Sequence, residues 1–316
     1  VWLLHDDELK NISIITTLYK SEKYVPELYK RIVSSLKGLN VDYEIIFVDD
    51  CFEDNALNLA KELQANDLNI KIIKLSRNFG QHAAITAGIN NSKGDWTIVI
   101  DSDLQDLPEE IPNLYKKALE GFDIVLAERV ERSDSYLKKI SSIFFSKLCS
   151  YLSGLDIDYK TSNFGIYSKK VLDNYRSLPE SKLFFPFVIQ WLGFKKFKLK
   201  VAHDPRSLDS SSYSFSKLVN LAFDSILYSS TKPLLLSIKI GLFISIISFT
   251  FSIYIIIKKL VYGIPVSGWA SLISSIWFLS GLIICSIGLL GAYLGKVFNE
   301  SKKRPTYIIE EIFKKD

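Results

Sequence analysis

Apolar residues fall in short runs separated by helical spacing over the first 130 positions, and in two long unbroken runs near the end. The short runs at 12–17, 43–48, 70–75, 96–100 and 124–128 are rich in β-branched and aromatic residues and predict strands. Segments 25–39, 56–64, 81–90 and 108–120 between them carry helical periodicity, and Pro108 suits the first turn of a helix. Strands alternating with helices predict an α/β domain whose parallel sheet is covered by helices. In such folds the ligand crevice lies at the carboxyl ends of the strands. Polar clusters fall at three of those ends: 17–22, 49–54 and 101–106.

Residues 137–153, LKKISSIFFSKLCSYLS, put Ile140, Ile143, Phe144, Leu148, Tyr151 and Leu152 on one helical face, with Lys147 snorkelling from it. Segment 215–228 repeats the pattern with Leu218, Leu221, Ala222, Ile226 and Leu227. Basic amphipathic helices of this kind lie in a membrane interface or pack their apolar face on a core. The long apolar runs downstream favour the interface. Segments 240–257 and 269–294 hold no charge, and each is close to or beyond the ~20 residues a span requires. The loop between them is short, so a helical hairpin is expected, with both ends on one side of a bilayer. Lys217, Lys232, Lys239, Lys296, Lys302, Lys303 and Arg304 flank those ends, against Lys258 and Lys259 in the loop. Positive residues stay inside, which puts the amino-terminal part and the tail in the cytoplasm.

Composition narrows the partners. The 316 residues are 48% apolar and 23% charged, with a net charge of +4. No basic block like those of nucleic-acid binders is present, so no nucleic-acid partner is expected. A membrane surface or an anionic ligand accounts better for the surplus lysine. Cys51, Cys149 and Cys285 lack metal-ligand spacing and read as unpaired thiols in a reducing compartment. Residues 1–10 turn polar after the first four, so no signal peptide is expected there.

The chemistry concentrates in VIDSDLQDLPEEIP, residues 99–112, where a buried-looking strand runs into Asp101, Asp103 and Asp106. Carboxylates this close repel unless a positive group sits among them. Residues i and i+2 of an extended chain point the same way, so Asp101 and Asp103 can converge on Mg²⁺ or Mn²⁺. Such ions commonly take their remaining ligands from water and substrate phosphates, so a diphosphate is the expected companion. A solvated acidic loop is the plainer alternative. His82 and His203 are candidate bases, and packing roles compete for both; Glu109 and Glu110 suit a helix amino terminus.

This stretch is one of four ordered motifs: a strand ending in Asp49–Asp50, RNFGQHAAITAG (77–88), DSDLQDLPEE (101–110) and the KKRPTYIIEE tail. Together with the paired spans they resemble glycosyltransferase family two, with its nucleotide-sugar-binding GT-A fold. The nearest branch is that of dolichol-phosphate mannose synthases and bactoprenol glucosyltransferases. The resemblance implies that Asp50 meets the nucleoside base, with Tyr19 and Glu22 lining the same pocket. It puts metal and diphosphate at Asp101 and Asp103, and Gln105 at the metal or sugar. Arg77 then pairs with a phosphate or an acidic neighbour, unless it braces the sheet through a salt bridge. Arg129 and Arg206 fall on the acceptor side, where either can hold a phosphate bidentately. The implied division is a GT-A core at 1–136, an acceptor-side region with interfacial helices at 137–232, two transmembrane helices at 233–297 and a cytoplasmic tail at 298–316.

The chain departs from the family at several places. Thr17 and Lys20 stand where proline and asparagine are usual, SNFG (162–165) replaces GDFR, and Ser212 takes a lysine's place. Asn163 and Gly165 thus replace an acid and an arginine; the changes bear on acceptor or sugar rather than on donor binding. The expected activity is that of an inverting, metal-dependent hexosyltransferase in the bacterial inner membrane. It takes a nucleotide sugar, UDP- favoured over GDP-, and transfers to a polyprenyl (undecaprenyl) phosphate for cell-surface glycan. A phosphate is already ionised, so no strong base is required. Transfer to a hydroxyl of a lipid-linked saccharide is the rival, and it needs a base such as Asp156, Asp158 or His203. A non-catalytic membrane scaffold is the third reading, against which the Asp101/Asp103 pair argues. Two short spans can also pack with copies of themselves as a homo-oligomer.

Overall fold

The computed structural model describes residues 11–129, 161–178, 185–201, 230–262 and 268–314. Two compact units result, a sheet with its covering helices and a helical pair. The first unit follows the strand–helix alternation: β1 (Asn11–Leu18), α1 (Val25–Leu36), β2 (Asp42–Asp49), α2 (Ala56–Asn66), β3 (Ile70–Leu75), α3 (Gln81–Asn91) and β4 (Trp96–Val99). A 3-10 turn (Pro108–Glu110) leads into α4 (Ile111–Leu119), then β5 (Ile124–Arg129) and β6 (Thr161–Ser168). After these come α5 (Lys169–Arg176), α6 (Phe185–Trp191) and β7 (Lys196–Val201), and the chain returns at its end with β8 (Ile309–Phe313).

The sheet order is β7-β5-β6-β4-β1-β2-β3-β8. Strands β1 to β4 run parallel, whereas β6 enters antiparallel between β4 and β5, and β8 antiparallel beside β3. The sheet is therefore mixed where the strand–helix rhythm predicts a parallel one. Neither SNFG nor the tail carries periodicity that reveals strand direction, which long-range pairing decides. Gly165 has a structural reason to lack a side chain: a Cβ there would lie 2.8 Å from the Val125 carbonyl oxygen of β5. The family's arginine has no room in this backbone arrangement.

Alternation along each strand sorts the core onto two faces. Ile12, Ile14, Ile45, Phe47 and Ile98 face α1, α2 and α4; Ile15, Ile46, Val48, Ile73 and Val99 face α3, α5 and α6. The parallel strands bring every carboxyl end among β1 to β4 to one edge of the sheet. The three polar clusters therefore share that edge.

The second unit contains α7 (Lys232–Tyr262) and α8 (Trp269–Ser301). Both are long and apolar enough to cross a membrane, and their most apolar windows hold no buried residue, unlike a core hairpin. The hydroxyls of Ser237, Thr250 and Ser286 donate to carbonyl oxygens three or four residues earlier, so these polar residues add no unsatisfied donor to an apolar surface. The amphipathic segments 137–153 and 215–228 lie outside the described residues.

Candidate active site at the carboxyl edge of the sheet

The turn after β1 meets the loop after β2. Asp54 accepts the Ser21 backbone N–H at 3.0 Å and, with its other oxygen, the N–H of Ala56 at the start of α2. One carboxylate thus starts a helix and ties two strand ends together. Lys20 stands at φ 55° in that turn. The rings of Tyr19 and Phe52 pack edge to face at 4.8 Å, with the Lys20 ammonium 5.4 Å from the Phe52 ring centre. Tyr19 is 46% exposed, leaving ring surface for a flat ligand. Glu22 is exposed at the same turn.

Asp49 and Asp50 are both buried. Asp50 accepts the backbone N–H groups of Phe79 at 2.8 Å and Gly80 at 3.0 Å, one on each oxygen. This clamps the RNFG turn, whose Gly80 stands at φ 94°, where a side chain would be strained. Burial raises the Asp50 carboxyl, opposed by those two N–H bonds. The Asp49 carboxyl is pushed up to about 6, chiefly by burial, against the Cys51 N–H it accepts. Arg77 is exposed, and its guanidinium stacks on the Phe79 ring at 4.3 Å. Among the described residues Arg77 forms no ion pair.

At the end of β4, Asp101 accepts the Gln81 side-chain N–H at 2.8 Å, and Asp103 accepts the backbone N–H of Gln105 at 3.0 Å. Leu104 takes φ 60° between them, and Asp106 is buried. Among the described residues no three His, Cys, Asp or Glu side chains form a metal cage. Two carboxylates alone suit a hard ion that completes its shell with water and phosphate oxygens, and do not suit a closed zinc site. The residues present fit Mg²⁺ or Mn²⁺ in that way. Behind them, Tyr167 is buried; burial, with the Asp101 charge adding, raises its hydroxyl.

Arg129 ends β5, which is antiparallel to β6 as β4 is, so β5 runs parallel to β4 and Arg129 stands at the same carboxyl edge of the sheet. Other candidates fall elsewhere or serve the frame. Arg206, His203, Asp156, Asp158, Ser212 and Cys149 lie outside the described residues, while Cys51 and Cys285 are free thiols. His82 sits in the first turn of α3, its imidazole pushed down to about 4 by burial, which makes it a poor proton acceptor near neutrality. Glu109 pairs with Arg31 through two bonds of 2.7 and 2.6 Å, joining the 3-10 turn to α1. Sequence reasoning assigned no role to Asp54, Phe52 or Gln81. Only Asp54 carried a local signal, an acid two residues ahead of a helix.

The Glycosyl transferase family 2 profile matches residues 13–176. A bactoprenol glucosyl transferase of Shigella phage SfV is 36% identical over 95% of this chain and 98% of its own length. An undecaprenyl-phosphate 4-deoxy-4-formamido-L-arabinose transferase of Proteus mirabilis is 32% identical over 97% of this chain and 95% of its own. In fold, mannosyl-3-phosphoglycerate synthase from Rubrobacter xylanophilus superposes with a TM-score of 0.52 over 70% of this chain and 72% of that one, at 13% identity. A match across strands, carboxylate clusters, apolar helices and tail together leaves one conclusion: the chain belongs to glycosyltransferase family 2.

Proposed function

We propose that this glycosyltransferase is a membrane-anchored, inverting enzyme that moves a hexose from a nucleotide sugar to a polyprenyl phosphate. The observation that carries this reading is the reach of the likeness: relatives named for bactoprenol and undecaprenyl phosphate match through the two apolar helices as well as the sheet. In the division that goes with it, 1–136 binds the donor, 137–232 meets the acceptor, 233–297 crosses the bacterial inner membrane and 298–316 returns to the cytoplasm. The lysines and the arginine flanking the spans support that orientation.

On this reading Tyr19, with Phe52 against it, offers the base a ring to stack on, and Glu22 lines the rim. Asp50 has lone pairs beyond the two it gives Phe79 and Gly80, and these can accept an N–H of a base, uracil by analogy. Asp101 and Asp103 would hold a divalent ion, which when bound would supply charge neutralisation for a leaving nucleoside diphosphate. Gln105 orients metal or sugar, and Arg77 can turn from Phe79 to a phosphate. Arg129 and Arg206 hold the lipid phosphate, whose oxygen attacks the anomeric carbon from the face opposite the leaving group. That oxygen is already ionised, so positioning and charge neutralisation supply the acceleration.

The test uses purified full-length chain in detergent, a panel of UDP- and GDP-sugars with Mg²⁺ or Mn²⁺, and undecaprenyl phosphate beside a lipid-linked saccharide. A glycosyl-phosphoryl lipid among the products, identified by mass, is the expected result. Product on the saccharide alone would overturn it.

A further inference from the structure

We infer that Gln81 is a positioning residue for the metal-binding carboxylate Asp101, held in place by a turn that the rest of the molecule fastens at both ends. Its amide donates to Asp101 at 2.8 Å, across from β4, although it belongs to the first turn of α3. At one end of the turn, the Ser76 N–H donates to the Ile308 carbonyl of the C-terminal segment at 2.9 Å. At the other, Asp50 takes the N–H groups of Phe79 and Gly80. Gly80 at φ 94° then starts α3 with Gln81 directed at the β4 terminus.

The physical consequence is rotational. A carboxylate at a strand end turns about χ2 with little hindrance, because its terminal torsion is broad. A donor fixed on one oxygen removes that freedom and sets the direction in which the carboxylate presents its remaining lone pairs. Such partners of ligating carboxylates typically alter metal affinity by about 10- to 100-fold. Gln81 therefore acts through Asp101. The inference rests on the metal assignment proposed above.

Gln81→Leu keeps the bulk and removes the amide; Gln81→Ala removes both. In full-length protein with UDP, Mn²⁺ binding is followed by the electron paramagnetic resonance signal of free ion. Both variants are expected to bind Mn²⁺ about 10-fold more weakly, near the low end of that range, with an unchanged melting temperature in metal-free buffer. The Mn²⁺ concentration for half-maximal turnover rises in step, and kcat at saturating Mn²⁺ stays within about twofold, since the ion once bound is the same. Parental Mn²⁺ affinity in a variant that melts normally would overturn the inference while leaving the metal assignment intact. So would a fall in kcat with the half-maximal Mn²⁺ unmoved. A parent protein that takes up no Mn²⁺ with UDP would overturn the metal assignment itself, and the inference with it.

Discussion

Lys74 of β3 and Glu310 of β8 form an ion pair of 2.8 Å that joins the sheet to the segment following α8. Lys74 is also the register partner of Asp49 in β2. The tail therefore closes an edge of the sheet and occupies the cation next to the buried acid. Beside the pair, Gln64 donates to the Phe313 carbonyl at 2.8 Å, and the Lys61 ammonium lies 3.9 Å from the Phe313 ring centre.

Removing residues 308–316 should uncover β3, since an open edge strand invites pairing between molecules. A melting temperature lower by at least ~4 °C is expected, with higher-order species in light scattering. Glu310→Gln alone should change little, because an exposed ion pair contributes little on its own. A truncated protein that melts like its parent would show that the strand adds nothing.

Replacing Asp49 should make stability less dependent on pH. A carboxyl raised to about 6 on folding binds its proton more tightly in the folded state. The burial cost is absent below the unfolded value near 4, grows as pH rises, and is complete above 6. Asp49→Asn cannot ionise and keeps an oxygen for the Cys51 N–H. It should match its parent at pH 4 and exceed it by up to about 3 kcal/mol above pH 6.5. Melting curves at both pH values measure this, and an equal difference at each would contradict it.

Asp103→Asn should lower sugar transfer by about 10³-fold, the scale of several kcal/mol of charge stabilisation supplied by a metal. Circular dichroism and the membrane-bound fraction should stay as in the parent. Retained turnover would remove Asp103 from the metal site.

Asp50→Asn should loosen the RNFG turn, since an amide has a single oxygen to offer two N–H groups. Losing charged acceptors costs about 1.5–3 kcal/mol, so amide exchange at Phe79 and Gly80 should quicken roughly 10- to 100-fold. UDP binding should weaken as well. Exchange unchanged at both amides would mean the carboxylate is not what holds the turn.

Much of the frame is legible in sequence. Strands β1 to β5 and helices α1 to α4 follow from hydrophobic period, and the apolar helices from length, because burial on a pleated face and burial in hydrocarbon both leave local patterns. Strand β7 carries a legible alternation in KFKLKV, whereas β6 and β8 leave weaker patterns, the tail strand having only an edge to cover. The Asp101/Asp103 pair is visible as spacing, whereas the donor on Asp101 is not, since Gln81 stands twenty residues away.

The apolar pattern thus determined an α/β domain with two bilayer-length helices, since a repeating pattern of apolar positions admits few ways of hiding itself from water, and the ordered motifs carried the resemblance to glycosyltransferase family 2. The tertiary structure decided the rest. It reversed β6 so that Gly165 could lie against Val125, returned the C-terminal strand to β3, and set Asp50 to hold the turn that carries Gln81 to Asp101. Each of these is a contact between distant stretches of chain, selected by the closeness of backbones and the need to satisfy buried N–H groups, which local sequence does not encode.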